Sequence, residues 1–167
     1  FIAGMVPHHE SAIEMAEIAR KRGEHKEIRQ LAGEIISAQK AEIADLEADH
    51  KRIFGEPLGQ AEHEEMEMDA EMPGETDMTA LEDADRFDKA FIDMMIPHHQ
   101  GAIEMARMEL DEGEDAELKQ LAQQIIDAQS AEIDEMNSWR TDWYGEPSPA
   151  GGVPPEDSSD SMMEMDH

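Results

Sequence analysis

The sequence has no cysteine, few aromatic residues and little positive charge. Without cysteine it can form no disulfide and offers no thiolate to a metal. Aromatic residues make up 4% of 167 positions, so a core must be built from Ile, Leu, Ala and Met. Only 13 Lys and Arg face 42 Asp and Glu, for a formal net charge of -29. That charge excludes nucleic acid and anionic membrane surfaces as partners, because both are polyanions. It favours cations, although solubility alone would also account for it. No apolar run is long enough to be a signal peptide or a membrane-spanning helix, so no membrane insertion is expected. The chain begins at Phe1, mid-motif by comparison with a later copy of the same segment. This suggests a trimmed or mature fragment, from which a targeting segment can be missing. Glycine and proline are not abundant, and long periodic segments dominate. The expectation is an all-α fold in one ordinary domain or two very small ones.

What is present is a repeat. Met5-Val6-Pro7-His8-His9-Glu10-Ser11-Ala12-Ile13-Glu14-Met15-Ala16 returns 90 residues later as Met95-Ile96-Pro97-His98-His99-Gln100-Gly101-Ala102-Ile103-Glu104-Met105-Ala106. Residues 1–57 align with 91–147 without a gap, and 27 of the 57 positions are identical. Each copy reads as a helical hairpin with one apolar face. Neither hairpin can bury that face alone, so the two should pack into a four-helix bundle. The expected organisation is a single bundle over 1–147, with repeat 1 at 1–57, a Met-rich acidic linker at 58–79 and repeat 2 at 80–147. A flexible acidic Met-rich tail is expected over 148–167.

Helical periodicity predicts a first helix over 1–22, stopped by Gly23, and a second from about Glu24 to Phe54, stopped by Gly55-Glu56-Pro57. The capping-box pair Thr79 and Glu82 predicts a third helix, running from near Ala80 to Gly113. A fourth covers about Asp115 to Tyr144. Ala38 and Ala128 belong to the expected apolar stripes, and Met15, Met105 and Met108 are expected in the core. On the first helix the projection puts His8 and His9 with the apolar face. On the second it puts Gln39 and Glu42 near the middle of the stripe. A fold-back near residues 23 and 24 sets His8 level with Gln39 and Met5 level with Glu42. The second hairpin repeats this with His98, Gln129, Met95 and Glu132. The result is a polar layer across an apolar bundle.

Such a layer is either a hydrogen-bond network that fixes helix register or a metal site. Met5 with His8 or His9, and Met95 with His98 or His99, can each reach one ion from one helix turn. Thioether with imidazole favours Cu(I), and Ag(I) by the same logic. Gln39, Glu42, Gln129 and Glu132 then serve as additional ligands or as acceptors that orient the imidazoles. A carboxylate-bridged di-iron bundle needs paired Glu-x-x-His motifs. Glu47-x-x-His50 fits, but its counterpart is Asn137-x-x-Arg140. A site of four His and two Glu for iron or manganese survives as an alternative. Pro7 and Pro97 interrupt the backbone hydrogen bonding beside the histidines, and the expected kink aims the pairs. Half of the 14 methionines are expected outside the helices. His63, Met66, Met68, Met72, Met162, Met163, Met165 and His167 look like auxiliary collectors of soft metal, and Met78 is placed with the linker.

These residues resemble the DUF305 family, whose Met-x-Pro-His-His-x-x-Ala-Ile-x-Met-Ala core and Ala-Gln-x-x-Glu-Ile helix appear here at 5–16 with 38–43 and at 95–106 with 128–133. The resemblance implies a ferritin-like four-helix bundle, usually exported, with some members tied to copper resistance. It places the protein outside the cytoplasm, as a secreted, periplasmic or cell-surface protein. The leading expectation is a non-enzymatic binder that sequesters or shuttles Cu(I) or Ag(I), with a metal-transfer protein as a possible partner and the oligomeric state open. The alternatives are a redox enzyme using His and Glu with iron, manganese or copper, and a structural or interaction bundle with no metal.

Overall fold

The computed structural model describes residues 1–58 and 78–156. It contains five helices among these residues: α1 (Ile2–Arg22), α2 (Lys26–Phe54), α3 (Met78–Glu82), α4 (Phe87–Glu112) and α5 (Ala116–Tyr144). No strand occurs among the described residues. α1 with α2, and α4 with α5, form two tightly packed hairpins. The hairpins meet mainly along α1 and α4, and more sparsely along α2 and α5. The four long helices make the bundle, and α3 is a short addition against α1 and α4.

The helix ends follow from local chemistry. Gly23 ends α1, its N–H bonding the Ala19 carbonyl at 2.8 Å. Gly55 and Gly145 end α2 and α5 in the left-handed region, at φ 77° and 89°, where a side chain would be strained. Asp115 caps α5 by accepting the Leu118 N–H at 3.0 Å. The Arg52 guanidinium bonds both Asp115 oxygens at 3.0 and 2.8 Å. Arg52, and after it the Leu118 N–H, hold the Asp115 carboxyl down to about 2.

The start of α2 is capped differently. His25 at its N-cap makes no side-chain cap bond. The buried Asp88 of α4 accepts the backbone N–H groups of Glu24 and His25, both at 2.8 Å, and bonds the His25 ring at 2.6 Å. That ring stacks on Trp143 of α5 at 3.6 Å. One carboxylate therefore ties the turn of the first hairpin to the second.

Three helices match the expected spans to within about two residues, the usual scatter in helix boundaries. The third does not. It divides into α3 and α4, with a break at residues 83–86. Leu81 and Phe87 are both buried, yet six positions on one straight helix would set them about 120° apart. The break lets both reach the core. Met78, expected in the linker, lies in α3 and packs against the core. Ala38 and Ala128 are exposed at the edges of their stripes. Met15 is buried, Met105 half-buried and Met108 58% exposed. α1 and α4 run unbroken through Pro7 and Pro97.

The tail expected to be flexible from Ser148 is tied down over 148–156. Gln100 donates to the carbonyls of Ala150 and Gly152 at 2.9 and 2.7 Å. Arg107 donates to Pro155, and Asn137 to Gly151. These side-chain donors satisfy carbonyls of a strand-free segment that has no ladder of its own. His50, weighed as part of a di-iron motif, bonds the Glu56 carbonyl through its ring at 2.9 Å. Its counterpart Arg140 donates to the carbonyls of Glu146 and Pro147. Both fasten the chain where it leaves a hairpin.

Asp88→Ala removes the acceptor for the amides of Glu24, in the turn, and of His25, at the N-cap of α2. It is expected to cost about 2–4 kcal/mol of unfolding free energy. Urea unfolding reads this directly, and an unchanged midpoint would show that water replaces the carboxylate without penalty.

Candidate metal centre

The apolar core is divided. One cluster gathers Ile2, Met5, Val6, Leu46, Ala102, Ala106, Leu118, Leu121, Ala122 and Ile125. The other runs from Ala12 to Ile36 on the first hairpin and from Leu81 to Ile96 on the second, with Ile103, Ile133 and Met136. Along each long helix the switch between clusters comes at polar residues. These are His8 and His9 on α1, Gln39 and Glu42 on α2, His98 and His99 on α4, and Gln129 and Glu132 on α5. Ile103 alone falls with the far cluster. The polar layer expected from sequence is thus present at the middle of the bundle.

Within it, His9 Nε2 lies 2.5 Å from Glu42 Oε2, and His99 Nε2 lies 2.8 Å from Glu132 Oε2. An ionised carboxylate only accepts, so Nε2 is the donor in both histidines. The partner of Glu42 is therefore His9, where sequence arithmetic had placed Met5. The register is shifted by about one helical turn. Gly23 and His25 are extended, with ψ of 128° and 141°, and they carry the fold-back point toward His25.

His8 and His98 come from opposite hairpins and stack on each other, with ring centroids 3.7 Å apart and planes at 27°. Burial pushes the His8 imidazolium down to about 3, with His9 and His99 adding to the effect. Burial also pushes His98 well below the usual range, helped by His8, His99 and His9. Both rings are neutral at neutral pH.

Several buried polar atoms of the layer have no hydrogen-bond partner: Nδ1 of His9, His98 and His99, and Oε1 of Gln39 and Gln129. In a neutral ring with its proton on Nε2, Nδ1 carries a lone pair. An unpaired buried polar atom costs about 1–3 kcal/mol, and here the cost recurs at matching positions in both repeats. These atoms fit a bound cation. A carboxylate-bonded imidazole with its other nitrogen free is the arrangement that metal-ligating histidines adopt.

Met5 and Met95 are wholly buried, one in each apolar cluster, one turn from His9 and His99 respectively. They approach the layer from opposite sides. Among the described residues, no group of three or more His, Asp or Glu side chains converges to hold a metal ion. The set of four His and two Glu is accordingly not assembled as a hard-ligand centre. The collectors expected at His63, Met66, Met68, Met72, Met162, Met163, Met165 and His167 lie outside the described residues. Sequence reasoning missed the tie of 148–156 to α4 and α5. Its signal was the exchange of Glu10, Glu17 and Glu47 in repeat 1 for Gln100, Arg107 and Asn137, which turns acceptors into donors.

A family model described as a domain of unknown function, DUF305, matches residues 1–140 and 113–167. Solved structures of CopM are 39% identical, cover 87% of this chain and 96% of theirs, and superpose with a TM-score of 0.75; they are described as Cu(I)-bound, apo and Ag-bound forms. A Cu(II)-bound form of CopM matches at 38% identity and a TM-score of 0.74. A Streptomyces coelicolor protein, described as a candidate secreted DUF305 protein, is 26% identical, with 89% and 93% coverage and a TM-score of 0.74. An uncharacterized protein of Acanthamoeba polyphaga mimivirus is 47% identical over 51 residues, which are 30% of this chain and 34% of that relative. The match thus spans about a third of that curated relative's length.

The lowered His8 pKa has a stability consequence. In the unfolded chain His8 gains its proton near pH 6.5, and in the folded protein near pH 3. Between these values the unfolded state binds more protons, so stability falls as pH drops. The slope is at most about 1.4 kcal/mol per pH unit for this residue. Urea unfolding at pH 7 and pH 5 should show a smaller loss in His8→Gln than in the parent protein. Equal losses would mean that His8 is protonated in the fold.

Proposed function

The chain belongs to the DUF305 family, and from that premise we propose that it binds soft metal ions, Cu(I) and Ag(I), in order to sequester or shuttle them. The observation that carries this reading is the set of unpartnered, buried Nδ1 atoms on His9, His98 and His99. Two of these rings are fixed by carboxylates through the opposite nitrogen. The likeness to CopM, described in copper- and silver-bound forms, supports it.

The inner ligands are Met5, His8, His9, Met95, His98 and His99. Imidazole nitrogen and thioether sulfur are soft-to-borderline donors, which select Cu(I) and Ag(I) over harder ions. Glu42 and Glu132 orient the rings and raise their basicity. Gln39 and Gln129 contribute carbonyl oxygens at the same level. Because the donors come from both hairpins, a bound ion links them, and binding stabilises the bundle. The linker and tail methionines with His63 and His167 act as outer collectors, and the strongly negative surface raises the local concentration of cations. A redox enzyme built on iron or manganese has no specific observation in its favour.

No helix among the described residues is long and apolar enough to cross a membrane. We place the protein outside the cytoplasm, as a secreted, periplasmic or cell-surface protein that delivers its ion to a metal-transfer partner. The secreted description of the Streptomyces coelicolor relative supports this.

Anaerobic titration with Cu(I), or titration with Ag(I), should give tight stoichiometric binding and a higher melting temperature. Replacing His8, His9, His98 and His99 by Ala should abolish the inner sites, with circular dichroism checking that the helices remain. Glu42→Gln with Glu132→Gln should weaken binding by about 10–100-fold. An unshifted melting temperature with either ion, or binding unaffected by the histidine substitutions, would sink the proposal.

A further inference from the structure

Metal reaching the buried nitrogens needs a way in, and the two halves of the histidine layer differ in exposure. His9, His98 and His99 are buried, whereas His8 is half-buried. His8 is the least buried of the four, although burial still governs its protonation. It stacks on His98 at 3.7 Å, so it covers a ring whose Nδ1 is buried and unpartnered.

The α4 backbone meets the His8 ring at Gly101. A Cβ placed at residue 101 would lie 3.4 Å from His8 Nε2, in close van der Waals contact with the ring. Glycine inside a helix costs about 1 kcal/mol relative to alanine, and at the matching position of the first hairpin the residue is Ser11. The internal symmetry is broken where the more exposed histidine meets the opposite helix. The missing side chain leaves the His8 ring room to turn.

We propose that His8 and Gly101 form the port through which a soft cation enters and leaves the histidine layer, with the His8 ring swinging toward the space over Gly101. This rests on the metal-binding reading above. The port is a kinetic device. It sets how fast the ion crosses between solvent and the buried nitrogens, and leaves the equilibrium number of sites unchanged. Closing it slows entry and exit together.

The test uses the full chain with Ag(I) as probe, in stopped-flow association and in release to a competing chelator. Gly101→Val packs a branched side chain against His8. It should slow both rates by about tenfold, as overpacking of this kind raises a barrier, with stoichiometry and affinity unchanged. Gly101→Ala, which improves helix propensity, should give a smaller slowing in a protein at least as stable. Ser11→Val at the matching position should leave the rates as they are. A readout without metal is acylation by diethyl pyrocarbonate followed by peptide mapping. His8 should react faster than His9, His98 and His99, and Gly101→Val should slow His8 selectively. Unchanged rates in Gly101→Val, with stoichiometric binding intact, would overturn the port and leave the metal-binding reading standing. Equal slowing by Ser11→Val would overturn it as well. Failure of the parent protein to bind Ag(I) at all would overturn both.

Discussion

The bond from a glutamate carboxylate to a histidine ring across each hairpin is the constraint on which the rest depends. A bundle of Ile, Leu, Ala and Met has no use for polar atoms at its centre, since each one left unpaired is costly. Glu42 and Glu132 make two of the four histidines tolerable by accepting their Nε2 protons. In doing so they decide which nitrogen remains free. The same bonds set the register of each hairpin, because a slip of one turn would separate carboxylate from imidazole. Structure and chemistry are therefore fixed by one pair of contacts.

The layer also explains why the core is split. Buried apolar residues are interrupted at the level where all four long helices carry polar side chains, with the partly buried Ile43 and Ile126 packing against both sides. Two clusters result, and the methionines nearest the layer belong one to each. The sequence repeat supplies the donor set twice from one short motif. The departures from symmetry are local. His50 and Arg140 solve one problem, fastening the exit of a hairpin, with different chemistry. Asp88 and Asp115 cap the second helix of each hairpin from different places. Gln100, Arg107 and Asn137 hold a segment that the glutamates at the matching positions would not hold in the same way.

Much of this was legible in the sequence because it is written in periodicity. The repeat, the four long helices, their glycine stops and the polar residues within apolar stripes all follow from spacing. The pairing of histidine with glutamate was legible in kind, but not in register. Counting from a turn assumes where the chain reverses, and the extended Gly23 and His25 move that point. The break between α3 and α4 was hidden because Leu81 and Phe87 each fit a helix, and only their joint burial requires two. The attachment of 148–156 was hidden because a segment rich in Pro, Gly and Ser has no period to read, and its partners lie on other helices. The stacking of His8 on His98 depends on how the hairpins face each other, which no local pattern records.

Asp88 has a consequence for how the protein is made. The amides it satisfies belong to residues 63 and 64 positions earlier in the chain. During synthesis from the N-terminus, the first hairpin emerges well before this carboxylate exists. Until α4 follows, the start of α2 depends on water for those bonds, and Trp143, which stacks on His25, arrives later still. The first hairpin therefore completes its own turn only when the second has been added. Half of the chain, released early, would carry the histidines of its motif on a scaffold left open at one end.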